Sequence, residues 1–146
     1  MSEEIEIRGI RKDDFLMIIP LIEELMDGLE ESIEVLQEIW NKNLERDHYV
    51  GFVAAIDNKI VGYVDIIFFQ DIAHGGFLGQ IQNLIVAKEY RGQGIGKRLV
   101  KKAIDFAKEM GFKELHVWTK FDNVKAISLY EKMGFKRSSL LLEIEF

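Results

Sequence analysis

Between Glu89 and Arg98 the chain reads Glu-Tyr-Arg-Gly-Gln-Gly-Ile-Gly-Lys-Arg, with glycine at 92, 94 and 96. Glycine lets a backbone approach a ligand closely and adopts conformations closed to other residues. The segment lies between a strand pattern and a long helical pattern, so the free N–H groups of a first helical turn point into it. The positive end of the helix dipole lies behind them. Such a turn suits phosphate or pyrophosphate. Two familiar phosphate loops fail on it. A Walker loop ending at Gly96-Lys97 puts its first glycine at Arg91 and its hydroxyl at Arg98. A dinucleotide fingerprint puts its last glycine at Leu99 or at Lys97, depending on where it starts.

The elements that must position this loop follow from periodicity. Gly94 to Met110 reads as a helix, with Ile95, Leu99, Ala103, Phe106, Ala107 and Met110 on one stripe and Gly111 ending it. Ahead of the loop, Gln80 to Val86 reads as a strand. Val50–Ile56 and Ile60–Phe69, joined by Asp57-Asn58-Lys59, read as a hairpin, and Gln70 to Gly79 as a polar, glycine-rich loop. Upstream, Ile5 and Ile7 suggest a first strand. Asp13 and Asp14 open a helical pattern through Met26, with a kink or late start expected at Pro20, and Glu31–Leu44 forms a second helix. Asp13-Asp14 reads as a solvated helix start. Downstream, Glu114–Thr119 is a strand. Asp122 or Asn123 caps a helix carrying Val124, Ile127, Tyr130 and Met133, and Leu140, Leu142, Ile144 and Phe146 alternate in a last strand. The order β-α-α-β-β-β-α-β-α-β gives an α/β chain: a mixed sheet with helices on its faces, in one domain over residues 1–146.

Arg91, Gly94 and Gly96 together resemble the pyrophosphate loop of the GNAT family, the GCN5-related N-acetyltransferases. Leu84-Ile85-Val86 resembles that family's fourth strand, and Asn123 to Phe135 (NVKAISLYEKMGF) its C-terminal signature. Ile7-Arg8 followed by Asp13-Asp14 is similar to its first strand and helix. The resemblance spans nearly the whole chain in order and spacing. It implies a mixed, mostly antiparallel sheet with helices on both faces, and transfer of an acetyl group from acetyl-CoA to a primary amine without a metal. It also implies roles for particular residues. The backbone from Arg91 through Gly92, Gln93, Gly94, Ile95 and Gly96 to Lys97 would hold the pyrophosphate. Leu84 and Val86 would lie beside the pantetheine arm, and an amide at Ile85 or Val86 would polarise the thioester carbonyl. Asn123 would contact the cofactor, and Tyr130 would protonate the departing thiolate.

The chemistry is sound on its own terms. An attacking amine must lose a proton and the sulfur gains one; a phenol near pKa 10 can donate to a thiolate whose acid lies near 8.5. Packing is the plain role for Tyr130, which shares a stripe with Ile127 and Met133, and helix capping the plain role for Asn123. Many members of the family carry a glutamate base on the fourth strand, where this chain has Gln82. A branch that acetylates ribosomal-protein N-termini carries its glutamate five residues before the signature asparagine, where Trp118 stands. Asp65, a carboxylate inside an apolar strand, is the substitute base, because burial could raise its pKa; Glu114, His74 and His116 are further candidates. Lys97, Arg98, Lys101 and Lys102 are the cations that could reach the cofactor's 3′-phosphate, or simply form a solvated face.

Composition bounds the rest. The chain has 146 residues, 19 Lys and Arg against 25 Asp and Glu, a net charge of −6 and no cysteine. Thiolate metal sites, disulfides and cysteine nucleophiles are thereby excluded. The charge balance gives no basic footprint for nucleic acid. The acidic N-terminus is unlike a signal peptide, and no apolar run approaches the roughly 20 residues of a membrane helix, so a cytoplasmic location is expected. The acceptor is a small-molecule amine or a peptide or protein amine, and members of the family are often homodimers. A non-catalytic acyl-CoA-binding sensor is the alternative reading, kept open by Gln82.

Overall fold

The computed structural model describes residues 4–146. It contains β1 (Glu6–Gly9), α1 (Phe15–Met26), α2 (Ile33–Leu44), β2 (Tyr49–Ile56), β3 (Lys59–Asp71), β4 (Gly76–Val86), α3 (Ile95–Glu109), β5 (Glu114–Val117) and α4 (Val124–Lys132). The five strands form one sheet in the order β1-β2-β3-β4-β5. Consecutive pairs through β4 are antiparallel. β5 runs parallel to β4, because the chain must return through α3 to reach it. This is the mixed, mostly antiparallel sheet expected from the sequence. β2 and β3 are joined by Asp57 and Asn58 alone, both at positive φ, the two-residue turn that matches strand twist.

Helices cover both faces. On one side Phe15, Ile18, Ile19 and Leu21 of α1 and Trp40 of α2 pack with Val53, Ile60, Tyr63 and Ile85. On the other, Ile95, Leu99 and Ala103 of α3 pack on Phe52, Ala54, Val64, Ile66 and Ile81. Gly62 makes that second contact close: a Cβ there would lie 2.9 Å from Leu99 Cδ1 and 3.1 Å from Ile95 Cγ2. The start of α3, which carries the glycine loop, is thereby pressed against the sheet.

Four expectations change. The stretch 70–79 is mostly strand: β3 runs to Asp71 and β4 begins at Gly76. Gly79 serves packing, since a Cβ there would run into the Phe112 ring, while Gly75 sits in the turn at a φ of 68°. Helix α1 starts at Phe15 and runs through Pro20, so the late start expected there does not occur. The proline is on the exposed side, where the carbonyl deprived of its partner meets water. Residues 136–146 carry no regular structure, and Leu140, Leu142, Ile144 and Phe146 are exposed, so the last strand is absent. β5 pairs only with β4, so its outer edge is left without the partner expected from this segment. Finally, Asp14 is not solvated. It is 2% exposed and accepts from Arg8 Nη1 and Nη2 at 2.8 and 2.9 Å and from the Arg11 amide at 2.8 Å.

Candidate functional site

The site begins with a defect in β4. The β3–β4 register pairs Asp65 with Asn83 and Ile66 with Ile81, leaving Gln82 as an extra, bulged residue. On the other side, β4 pairs with β5 only from Leu78 to Ile81. Beyond the bulge β4 continues to Val86, paired with β3 but with no strand on its β5 side. The Asn83 amide points toward β3, to Asp65 Oδ1, and the Ala87 amide toward Val61 O. Backbone groups alternate sides along an antiparallel ladder, so Leu84 and Val86 present theirs to the open gap. Ile85 faces β3, and its side chain is buried on the α1 side. Of the two amides proposed to meet a carbonyl, the one at Val86 faces the gap.

The glycine loop closes one end of this gap. Gly92 and Gly94 have φ of 77° and 82°, in the left-handed region, and Gly94 is the N-cap of α3. The first intrahelical bond runs from Arg98 N to Gly94 O, so the amides of Ile95, Gly96 and Lys97 precede the ladder. Gly96 is a meeting point. Its missing Cβ would lie 3.7 Å from Val86 Cγ2 and 3.8 Å from Leu129 Cδ2, so β4, α3 and α4 converge there. Arg91 anchors the loop: its Nε donates to Val86 O at 3.1 Å and its Nη2 lies 3.4 Å from Glu24 of α1. Glu24 also accepts from the Lys88 amide at 2.6 Å. The side chain of Arg91 therefore braces the turn, and Gln93 sits exposed within it.

Helix α4 supplies the remaining groups. Asn123 caps it, its Oδ1 accepting from the Ala126 amide at 3.2 Å, while its side-chain Nδ2 makes no hydrogen bond among the described residues. Tyr130, on the adjoining turn to Leu129, is buried with its ring against Phe135. Its hydroxyl has no partner among the described residues and keeps some contact with solvent. Burial raises its pKa, which holds the phenol protonated.

Asp65 is placed differently from a working base. It is 4% exposed and lies among donors. Oδ2 accepts from the hydroxyls of Tyr49 and Tyr63, each at 2.6 Å, and Oδ1 from the backbone and side-chain nitrogens of Asn83 at 2.8 and 3.0 Å. Burial and the adjacent Asp65 charge push both phenols far above their ordinary pKa, so they remain donors. A carboxylate with its lone pairs so occupied braces the bulge and has none free for an amine proton. Tyr49, Tyr63 and Asn83 were not legible as its partners, although the i, i+2 spacing of Tyr63 and Asp65 does put them on one strand face. The other candidate bases are engaged too. His74 bridges Asp71 at 2.6 Å and Glu114 at 3.2 Å, and Glu114 meets His116 at 2.9 Å. Gln82 is exposed and accepts from Gln80 at 2.8 Å.

A sheet split between two parallel strands, with a glycine turn and helix start at the mouth of the split, is the frame of the candidate site. The Acetyltransferase (GNAT) family model matches residues 15–135, and the chain belongs to that family. It is similar to the N-alpha-acetyltransferase 30 of Schizosaccharomyces pombe, 41% identical over 88 residues, covering 60% of this chain and 57% of that one. An uncharacterized N-acetyltransferase of Archaeoglobus fulgidus is 32% identical over 138 residues, 90% of this chain and 93% of its own. The chain thus spans little more than half of the yeast relative and nearly all of the archaeal one. Among solved structures, an aminoglycoside acetyltransferase from an uncultured soil metagenomic sample superposes with a TM-score of 0.82 at 26% identity, covering 97% of this chain and 95% of that one.

Proposed function

We propose that this chain is an acetyl-CoA-dependent N-acetyltransferase, acting as one unit in the cytoplasm and passing the acetyl group directly to a primary amine. The observation that carries the reading is the convergence at Gly96 of a strand edge without a neighbour, a helix start with free amides, and α4 with Tyr130. The thioester supplies an activated acyl group. The amides of Ile95, Gly96 and Lys97 hold the pyrophosphate, with Gly92 and Gly94 shaping the turn. Leu84 and Val86 lie beside the pantetheine arm, and the Val86 N–H stabilises charge on the carbonyl oxygen, a donor whose loss can cost ~10²–10³ in rate. The free amide nitrogen of Asn123 donates to the carrier arm.

The amine attacks the carbonyl carbon, the C–S bond breaks, and Tyr130 gives its phenolic proton to sulfur. The raised pKa of Tyr130 keeps that proton in place until a thiolate forms. The amine's own proton leaves to water, since Asp65, His74 and His116 are all engaged. Residues 23–38 carry seven carboxylates and no Lys or Arg, a field that favours a cationic acceptor such as a polyamine, an aminoglycoside or a basic peptide. Calorimetric titration with acetyl-CoA, with ATP and NAD as controls, tests the carrier, and thiol release against an amine panel tests the transfer. Binding without thiol release from any amine would replace this reading with that of an acyl-CoA sensor.

A further inference from the structure

The two edges of the sheet are not protected alike. At β1, Arg98 Nη2 donates to Ile5 O at 3.1 Å and Arg8 Nη1 to Gly9 O at 3.0 Å, and the strand itself carries Glu6 and Arg8. Charged side chains of this kind guard an edge against a further strand. β5 has no such cover. It pairs with β4 alone, and among the described residues its backbone bonds to no other segment. Leu115 and Val117 lie half-buried on its α3 side, around the same core as Phe106, Phe112 and Phe135.

The chain also carries a strand pattern with nothing to pair with. Up to residue 137 it is held on α4: the Phe135 amide donates to Tyr130 O at 3.0 Å, and Arg137 Nη2 to Glu131 Oε1 at 3.2 Å. From Ser138 onward every residue is exposed and none makes a backbone hydrogen bond among the described residues. Leu140, Leu142 and Ile144 are 66%, 83% and 81% exposed, and Phe146 wholly so. They alternate with Leu141, Glu143 and Glu145, so one face of the extended segment is entirely apolar. A contiguous apolar strip of this kind marks an interaction surface.

We infer that residues 138–146 of one copy add as a strand to the β5 edge of a second copy. The contacts to α4 hold the start of the segment on the outer surface of that helix, off its own β5, while the edge it fits stands empty on every copy. A two-fold axis fills both edges at once, a closed pair in which each chain gives one strand and receives one. Leu140, Leu142, Ile144 and Phe146 then continue the α3 side of β5 beyond Leu115 and Val117. Glu143 and Glu145 fall on the opposite side, with the exposed Glu114 and His116.

Sedimentation equilibrium of the wild-type chain is expected to give the mass of two chains. Leu142→Glu/Ile144→Glu alters side chains that are exposed in the single chain, so its helix content and cooperative unfolding should be kept. It is expected to weaken the dimer by about 10²-fold or more, because the new carboxylates would be buried in the pair. The chain has no cysteine, so Glu143→Cys carries a benzophenone cross-linker at one known position. Irradiation is expected to join two chains, with the label on residues 114–119 of the partner. A wild type that sediments as one chain would overturn the inference, as would a dimer that survives the double variant. A label on β5 of the same chain would show that the segment packs on its own edge, and a label elsewhere on the partner would remove β5 as the receiving strand.

Discussion

Asp65 Oδ1 stands 2.8 Å from the Asn83 amide, in the place a β3 carbonyl takes in a regular ladder. That substitution is how the sheet tolerates Gln82 as an extra residue. The bulge frees the far half of β4 from β5, so a buried carboxylate on one strand is tied to the open edge of the next. Asp65→Ala would leave the Asn83 amide and one of the two phenols without an acceptor, since the Tyr49 and Tyr63 hydroxyls, 2.6 Å apart, can still bond each other. At about 1–3 kcal/mol for each unsatisfied buried group, a loss of roughly 3 kcal/mol or more is expected in urea unfolding. Asp65→Asn retains an acceptor for the Asn83 amide and is expected to recover part of it. An alanine variant as stable as the wild type would show that the cluster does not brace the bulge.

Gly94 and Gly96 are expected to fail differently when substituted, although the sequence presents them as equivalent. Gly94 has open space around it but a φ of 82°, so any side chain there meets a backbone cost of roughly 1–2 kcal/mol. Gly96 has ordinary geometry but neighbours at 3.7 and 3.8 Å, room for one methyl and no more. Gly96→Ala is therefore expected to keep stability and acetyl-CoA affinity, whereas Gly96→Val and Gly94→Val weaken binding. Affinities by calorimetry, beside melting curves, separate the two causes. Wild-type affinity in a folded Gly94→Val would remove the loop as the binding site.

Tyr130→Phe removes the proton donor and little packing. Turnover is expected to fall by about 10², with acetyl-CoA affinity nearly unchanged. Because burial holds the Tyr130 proton above its ordinary pKa near 10, the acid stays loaded through neutral and mildly alkaline pH. The wild-type kcat profile should thus show no loss below about pH 10 that the phenylalanine variant lacks. Equal turnover in Tyr130→Phe would mean that water protonates the sulfur.

Much of this arrangement was legible because its signals are local. The stripe Ile95, Leu99, Ala103 marks α3, the glycines at 92 and 94 sit where positive φ is required, and Asn123 caps α4 as its type suggests. What was hidden depends on distant partners. Gly79 reads as loop until Phe112 is laid against it. Asp65 reads as a free carboxylate until Tyr49 and Asn83 arrive from neighbouring strands. The alternation from Leu140 to Phe146 is a strand pattern, but alternation specifies a face and not a pairing partner.

The Arg8–Asp14 pair gives a pH prediction. Burial alone would raise the Asp14 pKa, but the bidentate guanidinium of Arg8 and the Arg11 amide outweigh it and hold the carboxyl below its ordinary range. A folded pKa below the unfolded one stabilises the protein fully above the unfolded value, near 3.9, and that contribution is lost as pH falls through the folded value. The wild type should therefore keep this contribution down to about pH 4 and lose it in stronger acid. Arg8→Gln leaves a buried carboxylate without its cation, at a cost of roughly 3 kcal/mol at neutral pH. Its pKa then rises, and protonation relieves part of the penalty, so the deficit relative to wild type should narrow as pH falls toward 4. Urea midpoints at pH 7 and pH 4 for both proteins measure the difference. A deficit that is the same at both values would assign the loss to packing of the Arg8 side chain and not to its charge.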